Sequence, residues 1–238
     1  MAHMRKCDMS EAVHLCKHYE RNSNIKSYSN SEVDMNRSGE NYNLAPERES
    51  PTEYIRHQLD EIQHANRKDL VVMADLIITA PEDLPREYLT EFFQSSYDFC
   101  VGRYGTVSGL GEDVAISSYV HMDETTPHMH FAFLPVKAER DKISGEIVRQ
   151  RFCCKEVVCR KDLKTLHSDL QQWLDDRNIP AKVLNSKTKY DSNGRALSVK
   201  ELKRKTYLER ERDKRRELSG NRWVDSEETE REIKIGRW

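Results

Sequence analysis

The chain has 238 residues, 37% of them hydrophobic and 34% charged, with a formal net charge of −2. No run approaches the ~18 apolar residues of a membrane-spanning helix, and no secretory signal pattern is visible. The six cysteines (7, 16, 100, 153, 154, 159) make no disulfide framework in so long a chain, so reduced thiols in a cytosol are the expectation.

The charge is unevenly spread. Residues 32–98 carry 15 acids against 6 Lys/Arg, a net of −9, whereas residues 182–218 carry 13 Lys/Arg against 6 acids, a net of +7. A near-neutral protein can therefore present a basic face to a polyanion. The bland alternative for KELKRKTYLERERDKRREL (200–218) is a solvated helix laced with i,i+4 ion pairs.

The elements follow in chain order. MAHM (1–4) reads as an expression remnant, with the second Met a natural start. Ser10 opens a capped helix running to about Arg21, with His14, His18 and Arg21 on one side. A polar Asn/Ser-rich stretch to Pro46 has no period and reads as a loop or flap. Pro51 starts a second helix, with Tyr54, Ile55, Leu59 and Ile62 on one face. LVVMADLIITA (70–80) is a strand rich in β-branched residues. Residues 84–105 form a third helix, with Leu89, Phe92, Phe93 and Cys100 inward and Gly102 or Gly105 near its stop. VAISSYVHMD (114–123) and HMHFAFLPVK (128–137) are two strands joined by ETTP, an antiparallel pair. ISGEIVR (143–149) makes a short hairpin. KDLKTLHSDLQQWLDD (161–176) is an amphipathic helix, with Leu163, Leu166, Leu170, Trp173 and Leu174 inward. A basic helix spans about 199–218. Mixed helices and strands of this kind point to an α+β fold, a small antiparallel sheet covered by helices.

VHMDETTPHMHFAF (120–133) raises the functional question, because nine histidines serve the whole chain and three of them fall here. Side chains alternate along a strand, so His128 and His130 share one face. Pairing through the short turn brings His121 across from them. Three imidazoles then converge as a tri-histidine metal site that leaves coordination positions open, a catalytic rather than a structural arrangement. Asp123 and Glu124 on the turn are candidates to orient an imidazole. A lone histidine would be read as an ordinary core or surface residue; three on paired strands reverse that reading, without naming a reaction. Earlier in the chain, HLCKHYER (14–21) offers His18 beside Tyr19 and Arg21. A metal can polarise a phosphate while a side chain attacks it, and His18, Tyr19, Tyr28 and Tyr42 are the candidate nucleophiles.

HMDETTPHMHFAFLP resembles the HxDE…PHxH metal motif of the MobV-type (Pre/Mob) plasmid mobilisation relaxases, which belong to the HUH endonuclease group. KHYER (17–21), NYNL (41–44) and LNSKTKY (184–190) are similar to further elements of that family, in its order and rough spacing. The resemblance covers about residues 7 to 215. It implies a five-stranded antiparallel sheet flanked by helices, in a relaxase domain over residues 1–198. A basic helical extension, 199–238, would pack on that domain or bind DNA. It further implies metal-dependent, strand-specific nicking at a plasmid origin of transfer for conjugative mobilisation, with the 5′ phosphate held covalently. His121, His128 and His130 become the metal ligands, His18 the nucleophile and Glu124 the assisting carboxylate. Arg21 contacts phosphate or holds the site. Asn41, Tyr42, Lys187, Lys189, Lys203 and Arg204 become DNA contacts. The cofactor is a divalent ion, Mn²⁺ or Mg²⁺, although imidazoles also suit Zn²⁺ or Ni²⁺. The partner is single-stranded or hairpin origin DNA, and a second copy would dock through a C-terminal region. The alternatives are a replication initiator of the same group using a tyrosine, a phosphodiesterase using water, and a DNA-binding protein with a structural metal.

Overall fold

The computed structural model describes residues 2–21 and 33–184, together with Glu201, Arg204, Tyr207, Leu208 and Arg212. The chain divides into two units, 1–185 and 186–238. The boundary expected at 198/199 lies outside the described residues. The five described positions of the second unit are helical.

The first unit is built on a five-stranded sheet in the order β1-β3-β5-β4-β2, every neighbouring pair antiparallel. Its strands are β1 (Ala2–Cys7), β2 (Tyr42–Asn43), β3 (Met73–Thr79), β4 (Ala115–His121) and β5 (His128–Phe133). The α+β expectation and the strand count implied by the resemblance both hold.

The sheet has two apolar faces. On one, Met73 and Ala132 pack with Ala12, Leu15, Cys16 and Tyr19 of helix α1 (Met9–Tyr19) and with Tyr54 and Ile55 of α2 (Pro51–Glu61). On the other, Leu76, Ile78, Met129, Phe131 and Phe133 pack with α3 (Leu89–Cys100) and α6 (Arg160–Asp175). Phe133 stacks on Tyr104 with ring centroids 4.2 Å apart. The central strands are buried on both sides, which is why 70–80 reads as a continuous apolar run rather than an alternating one.

Several local readings need correction. Ala2–Cys7, to which the sequence reading gives no element, forms β1 by pairing with Met73–Ile78 of β3. Asp8, not Ser10, caps α1; its carboxylate accepts from the Glu11 backbone N–H, and Glu11 returns the bond to Asp8. The helix ends at Tyr19, and Arg21 lies beyond it with φ +47°. The polar stretch before Pro46 contains a short 3₁₀ turn (Met35–Glu40) and the edge strand β2. α3 runs on through a π-helical turn (Val101–Gly105) into α4 (Thr106–Ser108), and the stop is Gly109, at φ +71°. The hairpin is longer than 143–149, formed by β6 (Val136–Arg140) and β7 (Ile147–Phe152). A short α5 (Cys154–Val157) leads into α6, where Leu166, Leu170 and Leu174 are buried but Leu163 faces solvent.

Candidate active site

The turn between β4 and β5 is closed by pairing of His121 with His128, while Tyr119 pairs with His130. Directly opposed residues in an antiparallel ladder point to the same side, so the three histidines share one face. Their ring centroids lie 5.1 to 5.3 Å apart. That is the α1 face, and the end of α1 brings His18 to 5.6 Å from His121 and 6.1 Å from His130. Four imidazoles therefore meet where the sequence reading brought together three strand histidines and a separate candidate nucleophile. His14 is exposed on α1 and takes no part.

Donor atoms fall into two overlapping groups, His18–His121–His130 and His121–Glu124–His128, each with its atoms within 4.8 Å of one another. His121 belongs to both. Second partners fix the rings. His128 donates its Nδ1 hydrogen to the Thr126 carbonyl at 2.9 Å. His130 donates its own to the Asp75 carboxylate at 3.1 Å. Both rings thereby keep a lone pair on Nε2. His121 is the other way round, since Nε2–H donates to the Tyr19 carbonyl at 3.1 Å and Nδ1 accepts from Arg21 at 3.1 Å.

Arg21 is the hub of the site. Its Nε and Nη2 grip Asp123 as a fork, at 3.0 and 3.1 Å. The same Nη2 donates to Glu124 at 2.5 Å, and Nη1 lies 3.2 and 3.3 Å from the two ring nitrogens of His18. Asp123 is fully buried and also accepts from the Ser38 hydroxyl at 2.8 Å. Burial alone would raise its pKa, but the Arg21 and Ser38 hydrogen bonds bring it down to about 2. Burial, reinforced by the Arg21 charge, lowers His18 to about 4 and His121 to about 2. His128 is lowered too, by burial and by His130. The neutral imidazole, the form that ligates metals and attacks electrophiles, is thus favoured.

Asp75 is the residue that sequence reasoning missed. Its signal is a lone carboxylate inside an otherwise apolar strand, LVVMADLIITA, where only a paired charge is tolerated. Asn41 borders the site, where its side chain helps to hold the Asp123 carboxyl low, whereas Tyr42 lies on the other face of the sheet. Asn41 Oδ1 accepts the Met122 N–H at 2.7 Å, and Asn43 Oδ1 accepts the Ser118 N–H at 2.7 Å. The asparagines of NYNL thus pin β4 on either side of its last turn of ladder. Tyr42 pairs with Val120 and packs on the α3 and α6 face, away from the histidines. The Tyr19 ring lies 4.5 Å from that of His130, and burial, with Asp75 nearby, pushes its phenol far up. Tyr28, Lys187, Lys189 and Lys203 lie outside the described residues, and Arg204 is an exposed helical residue of the second unit. A cavity of about 400 Å³ adjoins the turn, lined by Arg37, Leu84, Arg86, Glu124, Thr126 and Pro127 among others.

The Mob_Pre family, described as plasmid recombination enzyme, matches residues 1–188. The chain belongs to the Mob_Pre family. It is 31% identical over 173 residues to a plasmid recombination enzyme of Bacillus thuringiensis, covering 70% of this chain and 35% of that protein. A Streptococcus agalactiae plasmid recombination enzyme is 29% identical over 218 residues, covering 85% and 40%. The chain thus spans well under half the length of these Mob_Pre relatives. Among solved structures, the MobM relaxase domain (MOBV; Mob_Pre), bound to plasmid pMV158 oriT DNA and Mn-bound, superposes with a TM-score of 0.64. The two are 27% identical, over 86% of this chain and 97% of that one. A second MobM complex, with a longer oriT oligonucleotide, gives 0.62 at 26% identity, over 87% and 97%.

Proposed function

We propose that this chain nicks DNA at a plasmid origin of transfer, on one strand and at one site, and holds the cut strand covalently through His18. The observation that carries this reading is the cluster of four imidazoles around a buried arginine–carboxylate pair, in a fold shared with a relaxase domain described as Mn- and oriT-bound. The partner would be plasmid origin DNA, and mobilisation the outcome.

The donor set suits a divalent ion. His128 and His130 have spent Nδ1–H on fixed acceptors and keep Nε2 for a ligand, and Glu124 adds a carboxylate within the group. His121, His128 and His130 would hold Mn²⁺ or Mg²⁺, while Zn²⁺ or Ni²⁺ would also bind such imidazoles in vitro. When bound, the ion would offset the charge that gathers on the phosphate oxygens.

The residues supply the rest. His18, neutral and at the edge of the cluster, gives its ring lone pair to phosphorus. The bond from phosphorus to the 3′ oxygen breaks, and that oxygen leaves with the electron pair and takes a proton. The imidazole sheds its own N–H proton to solvent, leaving a phosphoramidate to the 5′ phosphate. Because that bond stays reactive, the nick can be resealed. Arg21 lies where it can orient His18 and pair with a phosphate oxygen. Glu124, whose carboxylate lies 3.9 Å from His121 Nδ1, assists beside that ring as a positioning residue. The buried phenol of Tyr19 and the opposite-face position of Tyr42 favour His18 over either tyrosine.

The test is a denaturing gel of labelled single strands from candidate transfer origins, incubated with Mn²⁺. Cutting at one position in one of the two complementary strands is expected, lost in EDTA and in His128→Ala. Cutting that persists in EDTA, or that falls at random positions, would contradict the reading.

A further inference from the structure

Arg21 does more than orient partners. Its backbone sits at φ +47°, a left-handed conformation that is unfavourable for a residue with a side chain, and its guanidinium is engaged on every side. Nη2 has two hydrogens but three acceptors: Asp123 Oδ1, Glu124 Oε1 and His121 Nδ1. His121 Nδ1 is also the one lone pair that ring has left, because Nε2–H is committed to the Tyr19 carbonyl. An ion bonded to an imidazole nitrogen sits ~2 Å from it. A guanidinium nitrogen already lies 3.1 Å from that same atom. The two cannot both occupy the lone pair, and two positive charges so close repel strongly in a buried site.

We infer that Arg21 is the resident cation of the site, occupying the metal's place at His121 and Glu124, so that metal loading requires its guanidinium to withdraw. The fork to Asp123 through Nε gives it somewhere to stay, since that carboxylate belongs to neither group of donor atoms. The arginine then keeps the buried carboxylates neutralised in the metal-free protein and sets a threshold that the ion must overcome. The inference rests on the metal-site reading above.

The experiment is calorimetric titration of the full chain with Mn²⁺ alone, wild type against Arg21→Gln. The variant should bind Mn²⁺ about tenfold more tightly or better, the effect of removing one competing charge from a desolvated site. Equal or weaker binding by the variant would overturn the inference and make Arg21 an organiser of the metal ligands. No uptake of Mn²⁺ by either protein would sink the metal-site reading itself, and this inference with it. Should Arg21→Gln fail to fold, the Arg21 side-chain Nε–H resonance of the wild type is followed during titration with diamagnetic Zn²⁺. A shift in step with metal occupancy supports displacement, and a resonance that does not move refutes it.

Discussion

A carboxylate that accepts from one nitrogen of an imidazole decides which nitrogen keeps the lone pair. Asp75, 1% exposed, does this for His130. Asp75→Asn keeps the shape but loses the charge, and should weaken Mn²⁺ binding about 10- to 100-fold with little change in circular dichroism; calorimetry with unchanged affinity would deny the residue that role. The depressed histidines also set a pH dependence for the metal-free protein. Above the unfolded value of ~6.5 these rings are neutral in both states and contribute nothing. Below it the unfolded chain takes up protons first, while His18 resists to about 4 and His121 to about 2. Stability is therefore lost as pH falls from ~6.5, and the melting temperature without metal should drop between pH 7 and 5. A flat profile would mean that the rings are not held neutral. Of these residues, His121, His128 and His130 were legible because period-two alternation and a short turn force them together. Asp75 was not, since its partner lies 55 positions away and no local pattern links the two.

Elements were legible where their periodicity was strong. α6 and the β4–β5 pair follow from spacing alone, and the buried faces of α2 and α3 agree with the apolar positions assigned to them. β1 was missed because AHMRKC is half polar and takes its strand form only by pairing with β3. β2 was missed because two residues give no period, and asparagine side chains stand in for part of its ladder. The stop of the third helix was placed at the wrong glycine, since a π turn ending at Gly105 runs on into α4 and Gly109 ends it. Gly105 has a different task. A Cβ there would collide with the Gly111 carbonyl, so Gly105→Ala should cost about 1–3 kcal/mol by overpacking. Chemical denaturation checks this, and a neutral substitution would show that the 109–114 segment yields freely. On α6, Leu170→Ala should cost about 2–5 kcal/mol by the same measurement, because Leu170 is fully buried between helix and sheet.

At the scale of the whole chain, the charge asymmetry, net −9 over 32–98 against +7 over 182–218, allowed a basic face for a polyanion but read equally as a solvated, ion-paired helix. The family and its fold were legible from HMDETTPHMHFAFLP and its companions, and the match over residues 1–188 bears that out. If the basic segment holds the DNA backbone, binding should weaken steeply with salt. Replacing Lys203 and Arg204 together by Gln should lower the slope of log affinity against log salt by about 1.4, at ~0.7 per single-strand phosphate contact. An unchanged slope would remove that segment from the interface. The central claim, a covalent histidine intermediate, is tested most directly by intact-protein mass spectrometry. The protein is incubated with Mn²⁺ and origin oligonucleotides, then worked up and peptide-mapped at neutral to alkaline pH, because a phosphorus–nitrogen bond is acid-labile. The account predicts an adduct on His18 that vanishes in His18→Ala. An adduct on a tyrosine, or cut DNA with no adduct on any residue, would contradict it.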